Sequence, residues 1–290
     1  MHAVRQELSK GMDMKDQVVV IIGAGGIGLA IARRQGFGKT VLLADRDEKT
    51  LAAATKALEE ASYRVKSQPV DVASRESVRS LAETAQALGD VVNVVNTAGL
   101  SPNMAPVDRV LAVDLYGTAV VFEEFERVIA PGGAGLVISS MAGYMLPALT
   151  PEQDRALAFT PADDLLALPF LQVDAVPNSM VGYMMAKRAN SLRVQGAAIG
   201  WGTRGARVNS ISPGIVATPL AQHELDSPIG DGYRAMIAAS PAGRMAPPEE
   251  IANAASYLLG ADAGFVTGSD LLIDGGVIAA MRAGKLPTPG

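Results

Sequence analysis

The sequence predicts the α/β class: a doubly wound parallel sheet with helices on both faces. Three observations carry this. Val18-Val19-Val20-Ile21-Ile22 is a continuous β-branched run of the kind buried on both faces of a parallel sheet. Gly23-Ala24-Gly25-Gly26-Ile27-Gly28 follows at once and leads into an apolar helical stretch from Leu29 to Arg34. Strand-like and helix-like segments then alternate to Ser140, which implies right-handed crossovers and a ligand crevice at the carboxyl ends of the strands.

Composition sets the bounds. With 290 residues, 49% hydrophobic and 19% charged, the chain can fill one large domain spanning 1–290. A net charge of −5 opposes a nucleic-acid or anionic-membrane partner. Zero cysteines exclude disulfides, zinc-thiolate sites and a cysteine nucleophile. No apolar run reaches the roughly 20 residues of a membrane span, and the first 16 residues are too polar and acidic for a signal peptide, so the expected location is cytoplasmic.

Taken in order, Met1 to Lys15 has helix-like spacing and reads as an N-terminal extension. Strand, glycine turn and helix then allow backbone N–H groups and a helix N-terminus to face a pyrophosphate with no side chain in the way. Gly23, Gly25, Gly26, Ile27 and Gly28 are the candidate contacts; such a loop is weak evidence alone and gains from its context. The second strand, Thr40 to Ala44, ends in Asp45, 22 residues after Gly23 and close to the offset of about 20 expected for a ribose-binding carboxylate. Asp45 would repel a 2′-phosphate and favours NAD, while the adjacent Arg46 could pair with that phosphate and keeps NADP open. The alternative for Asp45 is a turn before the helix Lys49 to Ser62. Arg64 to Val70 is a strand closed by Asp71, Ser74 caps a helix to Leu88, and the strand Val91 to Asn96 leads into Asn96-Thr97-Ala98-Gly99. The helix Val107 to Ile129 and the strand Leu136 to Ser140 complete the alternation.

Tyr183-Met184-Met185-Ala186-Lys187 puts a phenol and an ammonium one helical turn apart on one face. An ammonium close by favours the phenolate and makes the tyrosine a better acid–base group near neutrality. The spacing also occurs on ordinary surface helices, so the motifs around it decide.

Those motifs resemble the short-chain dehydrogenase/reductase family from Gln17 to about Met281. Asn96-Thr97-Ala98-Gly99, Ile138-Ser139-Ser140, Tyr183 with Lys187, the run Arg207 to Thr218 and the stretch Gly268 to Gly276 occur in the family's order. The resemblance implies a single Rossmann domain with a seven-stranded, mostly parallel sheet. It implies Ser140, Tyr183 and Lys187 as catalytic residues: Ser140 on the reacting oxygen, Tyr183 as proton donor or acceptor, Lys187 on the nicotinamide ribose. It further implies Asp71, Val72, Asn96, Ala98, Gly99, Pro213, Gly214, Ile215, Val216 and Thr218 around NAD(P), with no metal.

Three departures stand out. The glycine loop is one residue shorter than usual and lacks a basic residue. Asp114 occupies the position of a family asparagine whose main chain serves the proton path, and its carboxylate is expected to pair with Lys187 and weaken its pull on Tyr183. Ser140 and Tyr183 are 43 residues apart, where far fewer usually separate them. The additional segment, 146–178, contains five prolines, which rule out one long helix, and apolar clusters that oppose a free linker. That insertion and the tail from Ile273 to Arg282 are similar to the bacterial 3α-hydroxysteroid dehydrogenase/carbonyl reductase branch. An insertion before the Tyr183 helix is expected to remodel the usual subunit contact, giving a homodimer or an altered tetramer.

A lid is expected over 217–240, with Pro219, Leu220, Ile229, Tyr233, Met236 and Ile237 as apolar candidates, and Leu100, Met141, Met184 and the insertion as further walls. Few charges face such a pocket, so a bulky apolar secondary alcohol or ketone, steroid-like or alicyclic, is the expected substrate. Reduction of 3-oxoacyl thioesters, polyol oxidation and a non-catalytic dinucleotide-binding regulator are the alternatives. His2 and His223 cannot build a metal site, and His223 reads as solvated.

Overall fold

In the computed structural model, residues 16–286 are described, and the expected N-terminal extension lies outside them. Seven strands form one sheet in the order β3-β2-β1-β4-β5-β6-β7, and every pairing is parallel. The strands are β1 (Gln17–Ile22), β2 (Thr40–Asp45), β3 (Arg64–Pro69), β4 (Asp90–Asn96), β5 (Ile129–Ile138), β6 (Arg207–Pro213) and β7 (Asp270–Ile273).

Strand alternation divides the core into two layers. Val18, Val20 and Ile22 face one apolar cluster, and Val19 and Ile21 face the other, all fully buried. The first layer is covered by α3 (Arg75–Leu88), by α4 (107–126) and by the long helix α7 (Ser179–Thr203). The second is covered by α1 (Gly26–Gln35), α2 (Glu48–Glu60) and α10 (Pro248–Leu259). A third, smaller cluster joins Met141 and Ile215 to the lid helices α8 (Pro219–Leu225) and α9 (Gly230–Ala239) and to α11 (Val277–Arg282).

Two expected boundaries change. β5 starts seven residues earlier than Leu136, at Ile129, because a register shift lets Ile129 pair with Val91 and Ala134 with Asn93, absorbing Pro131-Gly132-Gly133 into the strand. Gly132 takes φ +79° there, a conformation that favours glycine. The preceding helix therefore ends at Glu126 rather than Ile129. It also changes pitch midway, with a π-helical turn at Leu111–Tyr116 between two α-helical stretches.

The insertion folds as α5 (Pro151–Phe159), α6 (Ala162–Leu165) and a 3₁₀ turn at Pro169–Leu171. Thr150 and Gln153 close a capping box at the start of α5, with Pro151 at the first helical position. Leu157, Ala162, Leu165 and Leu171 are buried in the first core layer. Polar bonds hold the segment down: Arg188 meets Asp154 at 2.8 Å, and Arg193 donates to the Leu157 and Thr160 carbonyls at 3.0 and 2.9 Å. Arg75 of α3 adds Asp163 at 3.0 Å to its pairs with Glu123 and Glu124 of α4.

Trp201 anchors the far end of α7. It is fully buried, donates to the Phe122 carbonyl at 3.1 Å, and lies where any side chain at Gly135 would collide with it. Trp201→Ala is expected to remove about 3–5 kcal/mol of stability, seen as a lower urea midpoint with an unchanged slope; an unaltered midpoint would deny the ring this role.

Candidate active site

Four elements converge at the carboxyl end of the sheet. Asn178 caps α7 by accepting from the Val181 N–H at 3.0 Å, which places Tyr183 and Lys187 in the first turns of that helix. Ser139, just after β5, donates its hydroxyl to the Lys187 carbonyl at 2.6 Å and so ties the strand end to the lysine's own turn. Ser140 is extended, and its Oγ accepts from the Ala142 N–H at 3.1 Å, starting a 3₁₀ turn at Met141–Tyr144. That turn is clamped at its end by Tyr144, whose hydroxyl donates to Asp270 at 2.6 Å while Ser212 donates to the same carboxylate.

The π turn delivers Asp114 to this cluster. Its carboxylate, fully buried, contacts Lys187 Nζ at 2.9 Å through Oδ1 and accepts from the Leu100 N–H at 2.9 Å through Oδ2. A Cβ at Gly99 would sit 2.6 Å from Asp114 Oδ1, so the pair fills the space against that backbone. Lys187 Nζ also lies 5.3 Å from the Tyr183 ring centroid. Asn96 supports the same helix by donating to Thr118, whose hydroxyl donates to the Asp114 carbonyl at 3.0 Å.

The charges set the acid–base character. Burial lowers the Lys187 pKa, but the Asp114 carboxylate beside it more than offsets this and raises it overall, so the lysine is charged at neutral pH. Burial pushes the Asp114 carboxyl up, against the pull of Lys187 and the Leu100 N–H. Tyr183 departs from expectation: burial raises its pKa, Lys187 pulls it down, Asp114 pushes it back up, and the net direction is upward. The ammonium acts as predicted, but its influence is outweighed first by burial and then by its own countercharge beside it.

The glycine loop fits a pyrophosphate. Gly23 has φ +98°, and a Cβ there would approach the Ala98 nitrogen to 2.8 Å; a Cβ on Gly28 would overlap the Gly23 carbonyl. A Cβ on Gly25 would meet nothing within 4 Å, and no side chain caps the start of α1, so the loop leaves open space where phosphates would approach. A Cβ on Gly26 would come within 3.1 Å of the Thr218 side chain, so this loop lies against the start of α8. Asp45 Oδ2 accepts from the Ala24 N–H at 2.7 Å and Oδ1 from the Asp47 N–H at 2.8 Å. It thus holds the glycine loop and opens the turn to α2 from one position. Arg46 is exposed nearby. Asp71 accepts from the Ala73 N–H at 2.9 Å, and the Val72 side chain is packed against Gly117 of α4.

A cavity of about 310 Å³ brings together Ile27, Gly99, Asp114, Ser140, Tyr183, Lys187, Pro213, Gly214, Ile215, Val216 and Thr218. Gly23, Gly25, Gly26, Gly28, Asp45, Arg46, Asp71, Val72, Asn96 and Ala98 are not among its lining residues. Of the expected walls, Leu100, Met141, Leu220, Ile229, Tyr233 and Met236 line it; Pro219, Ile237 and Met184 do not. No residue of 146–178 lines it, because the insertion is spent on the outer faces of α4 and α7; the flanking Met145 and Met180 take that wall instead. Sequence reasoning also missed Glu224. The signal was available: on α8 it falls three and four positions after Ala221 and Leu220, a charge on the apolar face. His223 is exposed. Among the described residues no acidic or histidine cluster could hold a metal, and no helix is long and apolar enough to cross a membrane.

Residues 17–151 match the family model described as short chain dehydrogenase, and 164–278 match that described as enoyl-(acyl carrier protein) reductase. The short-chain dehydrogenase/reductase bsc3 of Alternaria brassicicola is 43% identical over 267 residues, covering 92% of this chain and 97% of that protein. The 3-alpha-hydroxysteroid dehydrogenase/carbonyl reductase of Comamonas testosteroni is 29% identical, covering 80% and 93%. A solved short-chain type dehydrogenase/reductase from Mycobacterium ulcerans shares the fold with TM-score 0.72 at 23% identity, covering 92% of each chain.

Because the Asp114 carboxylate raises the Tyr183 pKa, Asp114→Asn is expected to lower it. Alcohol oxidation needs the phenolate and ketone reduction the phenol, so both pH–rate limbs should move to lower pH. Limbs that stay in place would mean that the carboxylate has no part in tuning the phenol.

Proposed function

The chain belongs to the short-chain dehydrogenase/reductase family, and from that premise we propose that it interconverts a bulky apolar ketone and its secondary alcohol, steroid-like or alicyclic, with NAD preferred over NADP. The observation that carries this reading is one cavity that combines a phenol, a serine hydroxyl and a buried lysine with walls of leucine, isoleucine and methionine. Such walls weigh against a polyol, whose hydroxyls would go unpaired there.

The glycine loop and Asp45 would hold the adenosine half of the dinucleotide, and Lys187, Ile215 and Thr218 the nicotinamide half. The nicotinamide supplies or accepts the hydride when bound. Ser140 orients the substrate oxygen by donating to it. Tyr183, with its pKa raised, is protonated at neutral pH and gives its proton to the oxygen of a ketone as that oxygen gains charge. Lys187, kept charged by Asp114, stabilises the phenolate left behind. This balance favours the reductive direction. For the dinucleotide, Asp45 opposes a 2′-phosphate, which supports NAD.

The insertion covers the outer faces of α4 and α7, and we propose that the assembly is a homodimer or a tetramer that does not pair those faces. Light scattering is expected to give two or four chains per particle; a monomer would remove this proposal. In a panel of alicyclic ketones, absorbance at the nicotinamide band should fall faster with NADH than with NADPH. Tyr183→Phe should cut turnover about 10²- to 10⁴-fold while nucleotide binding, followed by fluorescence, persists. Binding without turnover on any ketone would overturn the reductase reading, and a faster rate with NADPH would reverse the cofactor preference.

A further inference from the structure

We infer that Glu224 selects the substrate, by accepting a hydrogen bond from a hydroxyl carried away from the reacting carbon. The inference rests on the ketone-reductase reading and narrows its substrate to hydroxylated alicyclic ketones.

Glu224 belongs to lid helix α8, is 9% exposed, and lines the same cavity as Tyr183. Its Oε1 accepts from the Ser101 hydroxyl at 2.6 Å, across 123 residues of chain. Tyr233 of α9 lines the same cavity. Among the described residues, no lysine, arginine or histidine pairs with Glu224. A carboxylate has about four acceptor positions when ionised, so the one hydroxyl bonded to it leaves it unfilled. The wall around it is apolar: Leu220, Ile229 and Met236.

A substrate that enters displaces water from this carboxylate. A hydrocarbon ring edge would then leave the remaining lone pairs without donors inside an apolar cavity, which is unfavourable. A hydroxyl at that point supplies a donor and, like that of Ser101, adds no second charge. Sites built around a substrate hydroxyl discriminate strongly against analogues that lack it. A simple latch between α8 and the loop after β4 would need one acceptor only, and a neutral amide would serve with less desolvation. The burial of a full carboxylate at the cavity wall favours the recognition role.

The test compares decalone with a set of hydroxydecalones bearing the hydroxyl on the far ring, using both NADH and NADPH. The wild-type enzyme is expected to prefer at least one hydroxydecalone by about 10-fold or more in kcat/KM. Glu224→Leu should abolish or invert that preference and Glu224→Gln should reduce it, whereas Ser101→Ala, which breaks only the latch, should retain it. Parallel loss of rate on both ketones in the Glu224 variants, with the ratio unchanged, would mark a latch and overturn the inference, as would a wild type indifferent to every hydroxyl position. Absence of turnover on all ketones with either nucleotide would instead remove the reductase reading, and this inference with it.

Discussion

The buried contact between Lys187 and Asp114 is the constraint on which the rest of the site depends. Two full charges are removed from water at the bottom of a cavity, and their attraction offsets that loss only if the geometry is held and the spare positions are filled. Several otherwise unrelated features meet this condition. The π turn in α4 brings Asp114 inward, Gly99 leaves the room that a side chain would occupy, the Leu100 N–H takes the second carboxylate oxygen, and Ser139 fixes the lysine's turn from the sheet side. Removing either charge would strand the other without compensation, so the pair is fixed by the penalty for breaking it more than by its net stabilisation.

The insertion illustrates how chain proximity differs from spatial proximity. It lies between Ser140 and Tyr183 in the sequence, so a place in the pocket wall was the natural expectation. In the fold, Ser140 and Tyr183 are brought together by β5 and α7, and the chain between them leaves the cavity at Met145 and returns at Met180. Its apolar residues then find the outer groove between α4 and α7, where Leu157, Leu165 and Leu171 become core. The bonds from Arg188 and Arg193 hold it there through one carboxylate and two backbone carbonyls, converting an exposed helix face into an interior one.

Much of the architecture was legible because burial on both faces of a parallel sheet demands apolar, β-branched strands, and Val18 to Ile22 can hardly be anything else. The start of β5 was not legible, since Pro131-Gly132-Gly133 reads as a turn and only pairing with β4 shows that it is absorbed as a bulge. Asp114 was visible as a departure and its pairing with Lys187 followed from charge alone. That the carboxylate weakens the lysine's pull on Tyr183 followed too, but the net direction did not, because it depends on how burial, ammonium and carboxylate weigh against one another at one phenol. For Asp45 the structure shows the turn contact, with the other carboxylate oxygen on the Ala24 N–H of the glycine loop, a backbone tie that the spacing in the sequence did not reveal.

The charges around the cavity also limit what can enter it. Among the described lining residues, Lys187 is paired with Asp114, and Glu224 accepts from the neutral Ser101 hydroxyl with no cationic partner, leaving an acidic group whose charge, when ionised, is uncompensated. In surroundings of low dielectric that charge acts over longer range than on the surface. A substrate bearing a carboxylate would be repelled by Glu224 before reaching Ser140, and would raise the pKa of Tyr183 further if it did enter. The same field leaves the proposed neutral ketone unopposed. Apolar walls and one acidic residue therefore act in the same sense: both favour the proposed neutral ring ketone over an anion.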